Sequence, residues 1–173
     1  NRGYLDYRQP EMAASLYQPA LKVISLDIET AIDRLQLFSI AVYAQLAGTE
    51  LRRVFMLAGH DLGDHISVYD NERELLQAFF DWLESTDPDI IIGWNVINFD
   101  CWYLQQVCNK YRIDLRLGRG TAKVSWRELD DDGERRAITV PGRVVLDGIE
   151  LLKAATWRFE SFSLNAVAGE LLG

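Results

Sequence analysis

A chain of 173 residues with an apolar fraction of 49% and a charged fraction of 25% has the composition of one globular domain, able to bury roughly 70% of the surface its unfolded form exposes. Its apolar runs fall far short of the ~18 residues that span a bilayer, and its first ten residues show neither a signal-peptide core nor an Arg-rich transit pattern, so a cytoplasmic protein without membrane contact is expected. A net charge of −8 argues against autonomous tight binding to nucleic acid. Residues 110–158 nevertheless hold 11 Lys and Arg against 8 Asp and Glu, a local excess that fits a solvated surface equally well.

Residues 1–19, with Pro10 and Pro19 and little periodicity, read as an extended lead-in with at most one helical turn. Residues 20–173 contain no repeat, low-complexity tract or linker and read as one unit. Three runs rich in strand formers come first: LKVISLDIE (21–29), RLQLFSIAVYA (34–44) and LRRVFML (51–57). Their short connections predict an antiparallel meander. DNERELLQAFFDWLES (70–85) then places Leu75, Leu76, Phe79, Trp82 and Leu83 at helical spacing, with Asn71 and Glu74 set as a capping box.

IIIGW (90–94) reads as a fully buried strand reached by a right-handed crossover. NFDCWYLQQVCNKYRI (98–113) reads as a second long helix. AKVSWREL and ERRAITV flank an Asp/Gly turn as a hairpin, GRVVLD (142–147) is a further strand, and GIELLKAA and SLNAVAGELL are two last helices, the second opening at Ser163. Alternating strands and helices after a meander predict an α/β domain, a mixed sheet with flanking helices. Cys101 and Cys108 lie about 10 Å apart on one helix, beyond disulfide reach, and are expected to be reduced packing residues.

Asp27 and Glu29 stand two apart at the end of the first strand and so share one of its faces. At roughly 5 Å and an effective dielectric of about 20 they repel by on the order of 3 kcal/mol, which a divalent cation would offset. Alone, the pair is ordinary strand-end polarity. Asp100, at a helix start that follows a buried strand, adds a third carboxylate where the crevice of an α/β sheet lies. Asp100 and Asn95 each have a plainer reading too, as a first-turn acid favoured by the helix dipole and as a polar turn residue.

These residues, in this order and on these elements, carry a family resemblance. The chain resembles the 3′–5′ proofreading exonuclease domain of family B DNA polymerases, in its bacterial polymerase II branch. Asp27 and Glu29 match the D-I-E of the first motif. Asn95, Phe99 and Asp100 match the N-x3-F-D of the second, with Tyr103 and Leu104 in the usual continuation, and GRVVLDGIELLKA and SFSLNAVAGELLG are similar to the segment leading to the third. The resemblance covers nearly the whole chain. It implies a ribonuclease-H-like fold and hydrolysis of the 3′-terminal nucleotide of DNA by two divalent cations, Mg²⁺ or Mn²⁺. It also implies roles: Asp27 bridging both metals, Glu29 on the metal that activates water, Asp100 on the second metal, and Asn95, Phe99, Thr30 and Tyr103 against the terminal nucleotide. The implied partners are a single-stranded DNA 3′ end, the remainder of a polymerase polypeptide and, through that parent, a sliding clamp.

The family's third motif, Tyr-x3-Asp, does not occur in these 173 residues. The expectation is therefore an exonuclease domain incomplete at its C-terminus and inactive by itself. His65 and Asp70 match the H-x4-D of a sister group of exonucleases, but they precede the second motif, which is the wrong order. Asp147, at the end of GRVVLD, is expected to be a structural acid rather than a ligand. Trp94, Trp102 and Trp157 read as core, whereas Trp126, which precedes the hairpin, is the candidate for stacking on bases; Arg135 and Arg136 fit phosphate contact or a solvated turn flank equally well. Two alternatives stay open: a non-catalytic nucleic-acid-binding or scaffolding module with the same fold, and an exoribonuclease with the same metal chemistry.

Overall fold

In the computed structural model, which describes residues 8–46, 48–57 and 63–173, residues 8–22 are exposed and form neither helix nor strand. The sheet begins with β1 (Val23–Thr30), whose Ile24, Leu26 and Ile28 point into the core while Asp27 and Glu29 face the other way, exposed. β2 (Leu37–Leu46) and β3 (Thr49–Leu57) complete the expected antiparallel meander, with Ile28 opposite Ile40 and Ile40 opposite Phe55. A fourth strand not expected from the sequence, β4 (Ile66–Tyr69), runs parallel to β3 at the sheet edge. Four half-buried residues give too short an alternation to be recognised.

α1 (Glu72–Thr86) starts at Asn71, whose side chain accepts from the Glu74 N–H, one half of the expected capping box. It crosses to β5 (Ile90–Gly93), parallel to β1 on the side away from β2. A π-helical turn (Ile97–Cys101) leads into α2 (Trp102–Tyr111), so the expected long helix is two pieces with different winding. β6 (Ser125–Glu128) and β7 (Arg136–Thr139) form the hairpin. β8 (Val144–Asp147) then joins β5 in parallel, followed by α3 (Gly148–Ala154) and α4 (Leu164–Leu172). The six-stranded sheet has the order β4-β3-β2-β1-β5-β8.

α1 and α2 lay Leu75, Phe79, Leu83, Leu104 and Val107 over the face that carries Ile24, Leu26 and Ile40, and this is the core. The opposite face stays open in places, with Tyr43 46%, Ile92 37% and Val144 51% exposed. β5 is therefore not fully buried: Ile91 enters the core, and its neighbour Ile92 faces the less covered side. Two buried polar groups tie the layers together. Arg143 donates to the carbonyls of Pro88 (2.9 Å) and Leu117 (2.7 Å), and Glu72 accepts from the Leu37 N–H (2.8 Å), Lys110 Nζ (2.7 Å) and Tyr111 Oη (2.6 Å). Cys101 and Cys108 are free and buried, and burial pushes both thiols up, Cys108 to about 12. No helix among the described residues is long and apolar enough to cross a membrane.

Candidate active site

The site lies where β1 outruns β5. A Cβ on Gly93, the last residue of β5, would stand 2.7 Å from the Leu26 carbonyl oxygen and 2.8 Å from Val96 Cβ. Only glycine lets the chain leave β5 this close to β1. Asn95 follows in the left-handed region (φ 56°), which asparagine tolerates better than most side chains. The π turn then closes through the Cys101 N–H on the Val96 carbonyl at 2.8 Å, the i to i+5 bond of a widened helix that recurs at functional sites. It turns Asp100 inward, 1% exposed, and leaves the Phe99 ring 42% exposed beside it. On β1, a bulge between Glu29 and Thr30 changes the register against β2 and re-aims the strand end, with Thr30 half-buried there.

Asp100 is a strongly perturbed acid. Burial first, then the charge of Asp27 and more weakly that of Asp147, raise its pKa from 3.8 to about 7, against N–H groups of Asp100 itself and Ile28 that favour the carboxylate. One of its oxygens, Oδ1, is buried with no hydrogen-bond partner. Leaving a buried carboxylate oxygen unpaired costs free energy that a cation would recover. Asp27 lies close enough to Asp100 for its charge to act on it, and the orphaned oxygen is of the kind a hard cation takes. Among the described residues, no three His, Cys, Asp or Glu side chains are already drawn together as a metal-holding group.

The other expected residues have contacts of their own. Half-buried Asn95 lines a cleft of about 550 Å³ with Asn98, Arg135, Glu150 and Phe162. Phe99 packs 6.1 Å from the ring of Tyr103, whose hydroxyl accepts from the Gln36 N–H (2.8 Å) and donates to the Gln36 carbonyl (3.1 Å). That hydroxyl therefore anchors the loop between β1 and β2. His65 and Asp70 are exposed beside β4, with β3 and β2 between them and β1.

The hairpin is docked on the site rather than free. Trp126 packs edge-to-face on Trp102 (5.0 Å) and donates to Gln105 (3.1 Å). The Arg136 guanidinium lies over Trp102 (4.2 Å), its backbone N–H donates to Asn98 (2.8 Å), and Arg135 pairs with Glu150 (2.8 Å). Asp147, 2% exposed, is more involved than the sequence suggested: its side chain reaches Ile97 of the π turn (3.1 Å) as well as the start of α3. The sequence signal was the strand-end Asp before a helical pattern, an N-cap signature; the link to Ile97 spans 50 positions and has no local signal.

Residues 4–167 match the exonuclease domain of DNA polymerase family B, and the chain belongs to that family. The six-stranded mixed sheet with flanking helices is the arrangement expected of such a domain. The chain is 43% identical over 164 residues to DNA polymerase II of Escherichia coli, a match that takes in 91% of this chain and 20% of that protein. It is 30% identical over 155 residues to a DNA polymerase of Thermococcus kodakarensis (88% of this chain, 9% of that protein). It is also 30% identical over 175 residues to the DNA polymerase delta catalytic subunit of Schizosaccharomyces pombe (88% and 16%). The chain thus spans 20% or less of the length of these relatives.

Proposed function

We propose that this domain removes the 3′-terminal nucleotide of DNA as the proofreading part of a family B DNA polymerase, at the corner between β1 and the π turn. The observation that carries the reading is Asp100: buried, with one oxygen unpartnered, and held near neutrality by burial and by Asp27. Asp27, Glu29 and Asp100 would hold two divalent cations, Mg²⁺ or Mn²⁺. When bound, such ions supply an activated water and a counter-charge for the leaving oxygen.

The protein's own part is to present these acids and to seat the DNA end. Phe99, exposed beside Asp100, offers a face on which the terminal base stacks. Asn95, in the wall of the cleft, offers an amide to the terminal nucleotide, Thr30 ends β1, and Tyr103 holds the loop that follows it. The net charge of −8 suits a domain that receives a few frayed nucleotides while a polymerase body holds the duplex. Without a Tyr-x3-Asp motif the 173 residues lack the family's fourth acid and are expected to be inactive by themselves.

Digestion of 5′-labelled single-stranded DNA and RNA with Mn²⁺ tests this, run on this chain and on a longer chain that includes a Tyr-x3-Asp motif, each paired with Asp27→Ala. The longer chain is expected to shorten DNA from its 3′ end, and Asp27→Ala to abolish the activity. An inert longer chain would make the domain a non-catalytic module. Preference for RNA would make it an exoribonuclease.

A further inference from the structure

We propose that Asp147 is a positioning residue of this site: its carboxylate holds the π turn by the Ile97 N–H and so fixes where Asp100 stands against β1. Asp147 ends β8, opposite Gly93 at the end of β5, which brings it under the turn that carries the second motif. Its two oxygens do different work. Oδ1 caps α3, accepting from Ile149 (3.0 Å) and Glu150 (3.4 Å), while Oδ2 accepts from Ile97 (3.1 Å), the first residue of the π turn.

A helix cap alone would not need an aspartate here. Ser or Asn caps as well, without a second negative charge buried near Asp100. The second oxygen is what distinguishes the residue: with both oxygens accepting, only a carboxylate serves the helix and the turn together.

The hydrogen bonds around Asp147 close into a ring. Asn98, next to Ile97, accepts from the Arg136 N–H at 2.8 Å, Arg135 pairs with Glu150 at 2.8 Å, and the Glu150 N–H returns to Asp147. The ring runs from the π turn through the hairpin to α3 and encloses the cleft that Asn95 lines. Outer groups of this kind orient ligands they do not touch, and their loss typically costs 10–100-fold in metal affinity. The consequence for metal rests on the reading of Asp27, Glu29 and Asp100 as ligands; the positioning of the turn does not.

The test is solution NMR of this chain together with a Mn²⁺ titration read by the paramagnetic signal of free Mn²⁺. In the unsubstituted chain, a coupling across the hydrogen bond between the Ile97 amide nitrogen and the Asp147 carboxylate carbon is expected, and its absence would overturn the proposal without any substitution. Asp147→Asn and Asp147→Ser keep a cap for α3 but cannot also accept from Ile97. Both are expected to speed amide exchange at Phe99 and Cys101 about tenfold, the equivalent of one net hydrogen bond, and to leave β2 amides unchanged. Both are also expected to weaken Mn²⁺ binding about tenfold in chains that remain folded, with Tm lowered only by the few degrees that one hydrogen bond accounts for. Unchanged exchange at Phe99 and Cys101 would show Asp147 to be a helix cap only. Faster exchange in a chain that binds no Mn²⁺ even unsubstituted would keep the positioning role and reject metal binding by Asp27, Glu29 and Asp100 alone.

Discussion

Glu72 and Asp100 are both buried carboxylates, 5% and 1% exposed, and their surroundings treat them in opposite ways. Burial alone would raise Glu72, but hydrogen bonds from Lys110, Tyr111 and the Leu37 N–H outweigh it and hold its carboxyl below the usual range. Burial also raises Asp100, and there the neighbouring charges of Asp27 and Asp147 add to it. Glu72 is a finished structural joint between β2, α1 and α2. Asp100 is an unfinished one, a buried charge left incomplete beside a second carboxylate, and the proposed cation site rests on that difference.

The contrast is open to attack from both ends. The largest effect is expected from Glu72→Ala, which leaves the Tyr111 hydroxyl and the buried Leu37 N–H without their acceptor and should lower unfolding stability by about 4 kcal/mol in a denaturant titration, Lys110 keeping the Leu35 carbonyl and solvent. Next comes Asp100→Asn. Because the folded state raises this acid's pKa, Asp100 is most compatible with the fold below pH ~4, and stability is lost as pH rises from 3.8 to about 7. In metal-free buffer above that window, Asp100→Asn should be more stable than the parent by on the order of 3 kcal/mol, and the parent's fall in Tm across the window should vanish. Glu72 has the opposite sign: its lowered pKa gives stability that is present above the ordinary carboxylate range and lost as pH falls through the folded value.

Smaller effects sharpen the same contrast. Gly93→Ala should cost about 2 kcal/mol in urea unfolding, because its Cβ meets backbone and Val96 rather than a flexible chain end. Arg116→Ala, which removes exposed pairs to Asp81 and Glu84 far from either carboxylate, should change the unfolding free energy by about 0.5 kcal/mol or less. A large loss there would mean that surface charge, rather than the two buried acids, dominates the electrostatics of this domain.

Much of the framework was legible in the sequence because it is written in short-range periodicity: the alternation in β1, the apolar stripe of α1, the Asp/Gly turn of the hairpin. The carboxylates were legible as well, since Asp27 and Glu29 sit two apart on a strand and Asp100 follows the next one. What stayed hidden has a physical cause in each case. β4 is four residues long. The side of Ile92 left open depends on which face α1 and α2 choose. The π turn differs from an α-helix by one residue of winding, which no side-chain pattern announces, and Asp147 meets Ile97 across 50 positions. The orphaned oxygen of Asp100 is likewise a property of packing, invisible until the turn and β1 are side by side.

The most direct measurement is the titration of the Asp100 side-chain carboxyl by carbon-13 NMR, without divalent metal and with saturating Mg²⁺. A midpoint near 7 in the metal-free chain, falling below the ordinary aspartate value once Mg²⁺ is added, is expected if the corner between β1 and the π turn is a cation site. A midpoint near 3.8 that Mg²⁺ does not move would contradict it, and Asp100 would then be a structural acid like Glu72.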